Sequence, residues 1–171
     1  MLIAHAPVGY LTSRLLARYC TDNAILYRRF IRWGMLGAIA PDIDWLWCVF
    51  VDHYETDHHQ YFTHVPITWI LALLLSGLWV RRNPANGILA MSFCLGGLMH
   101  MVLDTFLGGI LWFAPFSDHA VVWLQSSADF PTFWWFHSLF RSSLTLELFL
   151  TTLAGLYWLK PDHRLRQITS I

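Results

Sequence analysis

"GILAMSFCLGGLMHMVLDTFLGGILWF", Gly87 to Phe113, is apolar except at His100 and Asp104. Such a run reads as a helix crossing a bilayer, which takes about 20 residues. The two polar residues stand four apart, so one helix face carries both. An ionisable group at the centre of an apolar span costs about 2.5–3.5 kcal/mol on insertion scales. That cost falls when the group faces a wet cavity or holds a cation. The stretch therefore points both to a membrane fold and to a site within it.

Segments on either side have the same character. "VPITWILALLLSGLWV", Val65 to Val80, carries no charge and stops at Arg81-Arg82. "SSLTLELFLTTLAGLYWL", Ser142 to Leu159, stops at Lys160. A fourth segment, "FIRWGMLGAIAPDIDWLWCVFV", is interrupted by Pro41, Asp42 and Asp44. Residues 7 to 20 read as a shorter amphipathic helix. The composition agrees, since 56% of the 171 residues are hydrophobic and only 13% are charged, against about 25% charged in soluble domains. The expected fold is all-α: one domain over 1–171, a polytopic integral membrane bundle of three to four spans with a short N-terminal helix. An aromatic loop over 112 to 140, with Trp112, Trp123, Trp134 and Trp135, suits the lipid headgroup interface. Cys20, Cys48 and Cys94 have no CxxC spacing and read as buried small hydrophobes. The N-terminal stretch lacks the layout of a cleaved signal peptide and is expected to be retained.

The charges set a direction. Arg14, Arg18, Arg28, Arg29, Arg32, Arg81, Arg82, Lys160, Arg164 and Arg166 fall at segment ends that share one side, and of the basic residues only Arg141 is left over. The positive-inside bias makes that side cytoplasmic. Counting 1.5 Å per helical residue, His64 stands ~25 Å from Arg81, His100 ~27 Å from Arg82 and His5 ~20 Å from Arg18. Asp42 and Asp44 follow Arg28 to Arg32 by about one short helix. Five segments thus bring His or Asp to a similar depth near the outer face.

The candidate residues are His5, Asp42, Asp44, His59, His64, His100 and Asp104. "HHQYFTHVP", residues 58 to 66, crowds histidines against an apolar helix that does not need them to fold. "PDID" sets two carboxylates on a turn after Pro41. Imidazole and carboxylate together suit zinc or manganese, with enough ligands for one ion or two. Each residue also has an ordinary reading. His100 and Asp104 could be a hydrogen-bonded pair between helices, Asp42 and Asp44 a helix cap, and His5 an interfacial histidine. His53, His58, Asp52, Glu55 and Asp57 read as an exposed loop. His119 and His137 stay open, and His163 sits among basic residues. Convergence of the seven candidates at one depth favours a metal site over so many separate accidents.

"MLIAHAPVGYL", "GAIAPDIDWLW", "HHQYFTHVP", "GGLMHMVLDTF" and "GGILWFAPFS" occur in an order that resembles the YdjM-like membrane-bound metal-dependent hydrolases. The resemblance covers roughly residues 1 to 117, and it implies the same seven residues as the polar signature. Gln60 and Val65 stand where that family often has Arg and Ser. More distantly, the order of His and Asp is similar to zinc-dependent phospholipases C and P1-type nucleases. By that likeness Asp42, His59 or His64, His100 and Asp104 would share metal ions. The later ligands of those enzymes have no match here, which implies fewer than three ions.

The resulting expectation is an inner-membrane hydrolase with zinc, or alternatively manganese, acting on a lipid or lipid-linked substrate from the periplasmic or exterior side. Asp42, His59, His64, His100 and Asp104 are the expected metal ligands. Asp44 or His5 is the expected general base, or else the residue that orients a ligand histidine. No nucleic-acid partner is expected, because the site side is acidic. The rival reading is a non-enzymatic membrane protein whose His/Asp cluster is structural or conducts ions.

Overall fold

The computed structural model describes residues 3–53, 55, 58–106, 108–123 and 142–162. Six α-helices run through them: α1 His5–Cys20, α2 Ala24–Ile39, α3 Asp44–Phe50, α4 Pro66–Val80, α5 Pro84–Asp104 and α6 Ser142–Leu159. Short 3-10 turns at Ala40–Ile43, His58–Gln60 and Phe62–His64 join α2, α3 and α4. The described residues contain no β-strand, only one antiparallel bridge between Ile110 and Val121.

Helix starts follow local chemistry. The side chain of Asn23 caps α2 by accepting from Leu26 N at 2.9 Å. Asn83 caps α5 in the same way through Asn86 N, with Pro84 in the first turn. Pro66 opens α4, where its missing N–H costs nothing.

α5 is the centre of the bundle and packs against α1, α2 and α4. α2 and α5 run parallel: the Ser92 hydroxyl donates to Phe30 O at 2.7 Å, and eight residues on, His100 Nδ1 meets Ala38 O at 2.8 Å. Glycines allow that approach. A Cβ on Gly37 would strike the Phe93 carbonyl, and one on Gly96 would strike the Gly34 carbonyl. Small residues at a helix interface are the usual means of close packing in a bilayer. Trp69 of α4 lies against Gly97 of α5. α6 packs on α1.

Polar side chains are buried beside an apolar core, while many large apolar side chains are exposed. Arg14, Ser76, Ser92, Thr105 and Glu147 are buried, while Leu71, Leu74, Leu75, Leu78, Leu148 and Leu156 are exposed. By length and hydropathy, α5 is the one helix that qualifies to cross a membrane among the described residues. Pro66–Val80 and Thr145–Leu159 are apolar but shorter.

Three details differ from the sequence reading. The central helix ends at Asp104, well before Phe113. Thr105 O accepts from Trp123 N at 2.8 Å rather than from a continuing helix, and Gly108 and Gly109 weaken continuation by about 1 kcal/mol each. α1 begins at His5 and includes Pro7, which in a first turn has no helical N–H bond to lose. Cys20 is exposed, whereas Cys48 and Cys94 are buried. In the aromatic loop, the Trp112 indole donates to the Thr105 hydroxyl at 2.7 Å, and Trp123 packs edge-on to Phe106. Trp134, Trp135, Arg141, Arg164 and Arg166 lie outside the described residues.

Candidate metal centre

The candidate residues occupy helix ends and the turns beside them. His5 is the first residue of α1, while Asp42 lies in the 3-10 turn after α2. Asp44 opens α3, and His59 and His64 lie in the two turns before α4. His100 and Asp104 form the last turn of α5, where the helix dipole favours positive charge.

The structure gathers all seven. His100 Nε2 lies 2.9 Å from Asp104 Oδ2, 3.4 Å from Asp42 Oδ1 and 3.3 Å from His64 Nε2. His64 Nε2 is 3.8 Å from Asp104 Oδ2 and 3.9 Å from Asp42 Oδ1. His59 Nε2 is 3.8 Å from Asp104 Oδ2. His5 Nε2 is 3.3 Å from the other oxygen, Asp104 Oδ1, and its ring stacks on His100 at 3.8 Å. Asp44 stands behind His64, with Oδ2 2.7 Å from Nδ1.

The tautomers follow from the partners. Ala38 O is only an acceptor, so His100 donates to it from Nδ1. A carboxylate is likewise an acceptor, so His64 donates from Nδ1 to Asp44. In the neutral rings both Nε2 lone pairs then face each other and the carboxylates, an arrangement that could hold a cation. The spacing fits one. An ion about 2.0–2.1 Å from each donor in tetrahedral geometry holds donor atoms ~3.3 Å apart. Donor atoms lie within 4.8 Å of one another in two groups, His5, Asp42, His100 and Asp104, and His59, His64 and Asp104. Asp104 belongs to both: its Oδ2 faces His100, His64 and His59, and its Oδ1 faces His5.

His5, His64, His100 and Asp104 are at most 2% exposed. The side chains of Asp42 and His59 are 34% and 19% exposed, so the cluster opens on their side. The Thr63 hydroxyl donates to Asp44 Oδ2, and Thr63 O accepts from the Trp69 indole at 2.7 Å. Thus a chain of bonds runs from α4 through Thr63 and Asp44 to the ring of His64.

Sequence reasoning missed Thr63 and the Ala38 carbonyl. Thr63 had a weak signal in "THVP", a hydroxyl beside a ligand-class histidine. A backbone carbonyl has none. Asp52 does more than solvate a surface, because it accepts from the Tyr61 hydroxyl at 2.6 Å. That bond keeps the phenol above its ordinary pKa. His53 is exposed with positive φ, and His119 is exposed and bonds its neighbour's carbonyl. The side chain of His58, together with Asp57, His137 and His163, lies outside the described residues.

No curated protein and no solved structure matches this chain. The family model described as YdjM inner membrane protein matches residues 1–163, and the chain belongs to that family.

Proposed function

We propose that this member of an inner membrane protein family is a metal-dependent hydrolase that cleaves an ester or phosphoester bond of a membrane lipid. The observation that carries the reading is the pair of Nε2 atoms, 3.3 Å apart, each fixed by a bond at its own Nδ1 and each facing Asp104. When bound, a zinc-class ion would lower the pKa of a water and polarise the scissile group.

The chain's own residues divide the remaining work. His64, His100 and Asp104 hold the ion, with Asp42 and His59 completing the set on the open side. Asp104 joins the two donor groups, which supports two ions as well as one. Asp44 takes the orienting role rather than that of general base, because it already grips His64 Nδ1. His5, read from sequence as a proton acceptor, is here assigned to the ligand set, since its Nε2 faces Asp104 Oδ1. The lipid substrate is supported by exposed apolar side chains on the elements that carry Asp44 and His64, namely Trp45, Trp47 and Phe50 of α3 and Phe62 of the turn before α4. The phosphoester rests on the order of His and Asp shared with zinc-dependent phospholipases C.

Purified protein is expected to contain stoichiometric zinc or manganese by elemental analysis. It is expected to turn over at least one of three classes: phospholipids, lipid-linked phosphates and lipid esters. Bound metal without turnover on any class would shift the reading to the structural or ion-conducting rival, which the 2.9 Å His100–Asp104 pair favours. Absence of metal would exclude both the hydrolase and its ligand set.

In this reading α4, α5 and α6 span the bilayer and the site faces the periplasm. Arg28, Arg29, Arg81 and Arg82 are exposed toward the opposite helix ends, as the positive-inside rule asks of a cytoplasmic face. In a background without Cys20, Cys48 and Cys94, His53→Cys should react with an impermeant thiol reagent in cells with a permeabilised outer membrane. Arg82→Cys should stay unlabelled until the inner membrane is opened. The reverse pattern would invert the topology.

A further inference from the structure

Glu147 is the only charged residue in the apolar helix α6, and it is 7% exposed. Its flanks Leu148 and Phe149 point outward, so its carboxylate alone among these three turns to the bundle. Oε2 accepts a hydrogen bond from Ile3 N at 2.8 Å. Ile3 leads directly into Ala4, the N-cap of α1, which supplies no side-chain cap of its own. The next residue is His5, stacked on His100 with Nε2 3.3 Å from Asp104 Oδ1.

We infer that Glu147 is a positioning residue for the metal centre: from α6 it anchors the start of α1 so that His5 is held over His100 and Asp104. The inference rests on the reading of the His/Asp cluster as a metal site. An ionised group in an apolar helix is costly and marks a function by default. A carboxylate is also suited to the N-terminus of α1, which carries free N–H groups and the positive end of the helix dipole.

The far ends of the same two helices fix the register. Arg14 of α1 donates to Tyr157 O at 2.5 Å, to Lys160 O at 3.1 Å and to Asp162 Oδ2 at 3.1 Å. Tyr10, whose hydroxyl also accepts from Arg14, packs against Trp158 at this same end. α6 is therefore clamped to α1 at the basic end independently of the metal centre. Glu147 is delivered to Ile3 by that clamp, and His5 depends on it in turn.

Cobalt(II) titration of the full-length protein in detergent tests this, because its visible absorption reports ligand number and geometry without any substrate. Partners that orient a metal ligand typically account for 10–100-fold in affinity. Glu147→Ala is expected to weaken cobalt binding by about that factor and to shift the spectrum toward that of His5→Ala. Glu147→Gln keeps an acceptor of the same length and should recover most of the loss. Adding Glu147→Ala to His5→Ala should weaken binding no further, since His5 is the residue through which Glu147 acts.

Should Glu147→Ala fail to fold, Glu147→Asp retracts the carboxylate by one methylene and is expected to show the same spectral shift to a smaller degree. A wild-type titration with variants that bind cobalt and absorb as wild type does would overturn the role of Glu147 alone. Losses that multiply in the double variant would overturn it too, because Glu147 would then act by another route. A wild-type protein that takes up no cobalt or zinc would overturn the metal reading and this inference with it.

Discussion

Asp104→Asn is expected to empty the metal centre and reduce lipid hydrolysis to background. Asp104 is the one residue common to both donor groups. Its Oδ2 lies 2.9 Å from His100 Nε2 and its Oδ1 lies 3.3 Å from His5 Nε2. Asparagine keeps the shape and one carbonyl oxygen, but it loses the charge and the second oxygen donor. Removing one partner of a buried charge cluster is typically worth several kcal/mol, and a loss of ~4 kcal/mol corresponds to about a thousandfold in binding. Elemental analysis should therefore find metal content near zero. The helices should persist, because packing rests on Gly34, Gly37, Gly96 and apolar surface. Circular dichroism and monodisperse elution in detergent check that point. A variant with full metal content and full activity would remove Asp104 from the site.

His100→Ala is expected to lose metal and to lose stability even without it. Its Nδ1 bond to Ala38 O is the polar tie between α2 and α5 at the site end. Deleting the ring leaves that buried carbonyl unsatisfied, a penalty of about 1–3 kcal/mol, and removes the surface on which His5 stacks. A ligand at a hundred times its dissociation constant stabilises a protein by about 2.7 kcal/mol. Thermal unfolding of the wild type should therefore shift upward when zinc is added. His100→Ala should unfold at a lower temperature than metal-free wild type and give no zinc response. A zinc-dependent rise in the variant equal to that of the wild type would mean that His100 is not a ligand. His64→Ala gives the complementary result: its Nδ1 is bonded to Asp44 at the start of the short helix α3 rather than tying two long helices together, so the zinc response should vanish with a smaller loss of metal-free stability.

The sequence by itself determined where the apolar helices α4 and α6 run and which His and Asp residues the fold brings together. Apolar runs bounded by Arg81-Arg82 and Lys160 located α4 and α6 within a residue or two, because a long apolar run without interior proline continues as one helix up to the basic residues that end it. The interruption at Pro41 was legible for the same reason, since proline and two aspartates cannot continue an apolar helix. His100 and Asp104 were legible as a pair because helical geometry fixes residues four apart on one face. His5, Asp42 and His64 were legible because ionisable groups in such surroundings need a reason to be there. Only the tertiary structure decided how these residues divide. The parallel pairing of α2 with α5 depends on glycines meeting backbone that is far away along the chain, Gly37 against Phe93 and Gly96 against Gly34, and no local pattern encodes that register. It is this register that sets the Ala38 carbonyl behind His100 and fixes which nitrogen faces Asp104 and His64. The turn at Thr105 was hidden because it is made by a long-range bond to Trp123, within a run that hydropathy alone carries on to Phe113. The partners of Asp44 and Glu147 were hidden for one common reason: a carboxylate accepts from whatever donor the fold brings to it. For Asp44 that donor is His64, twenty residues away, and for Glu147 it is the backbone of Ile3 at the other end of the chain.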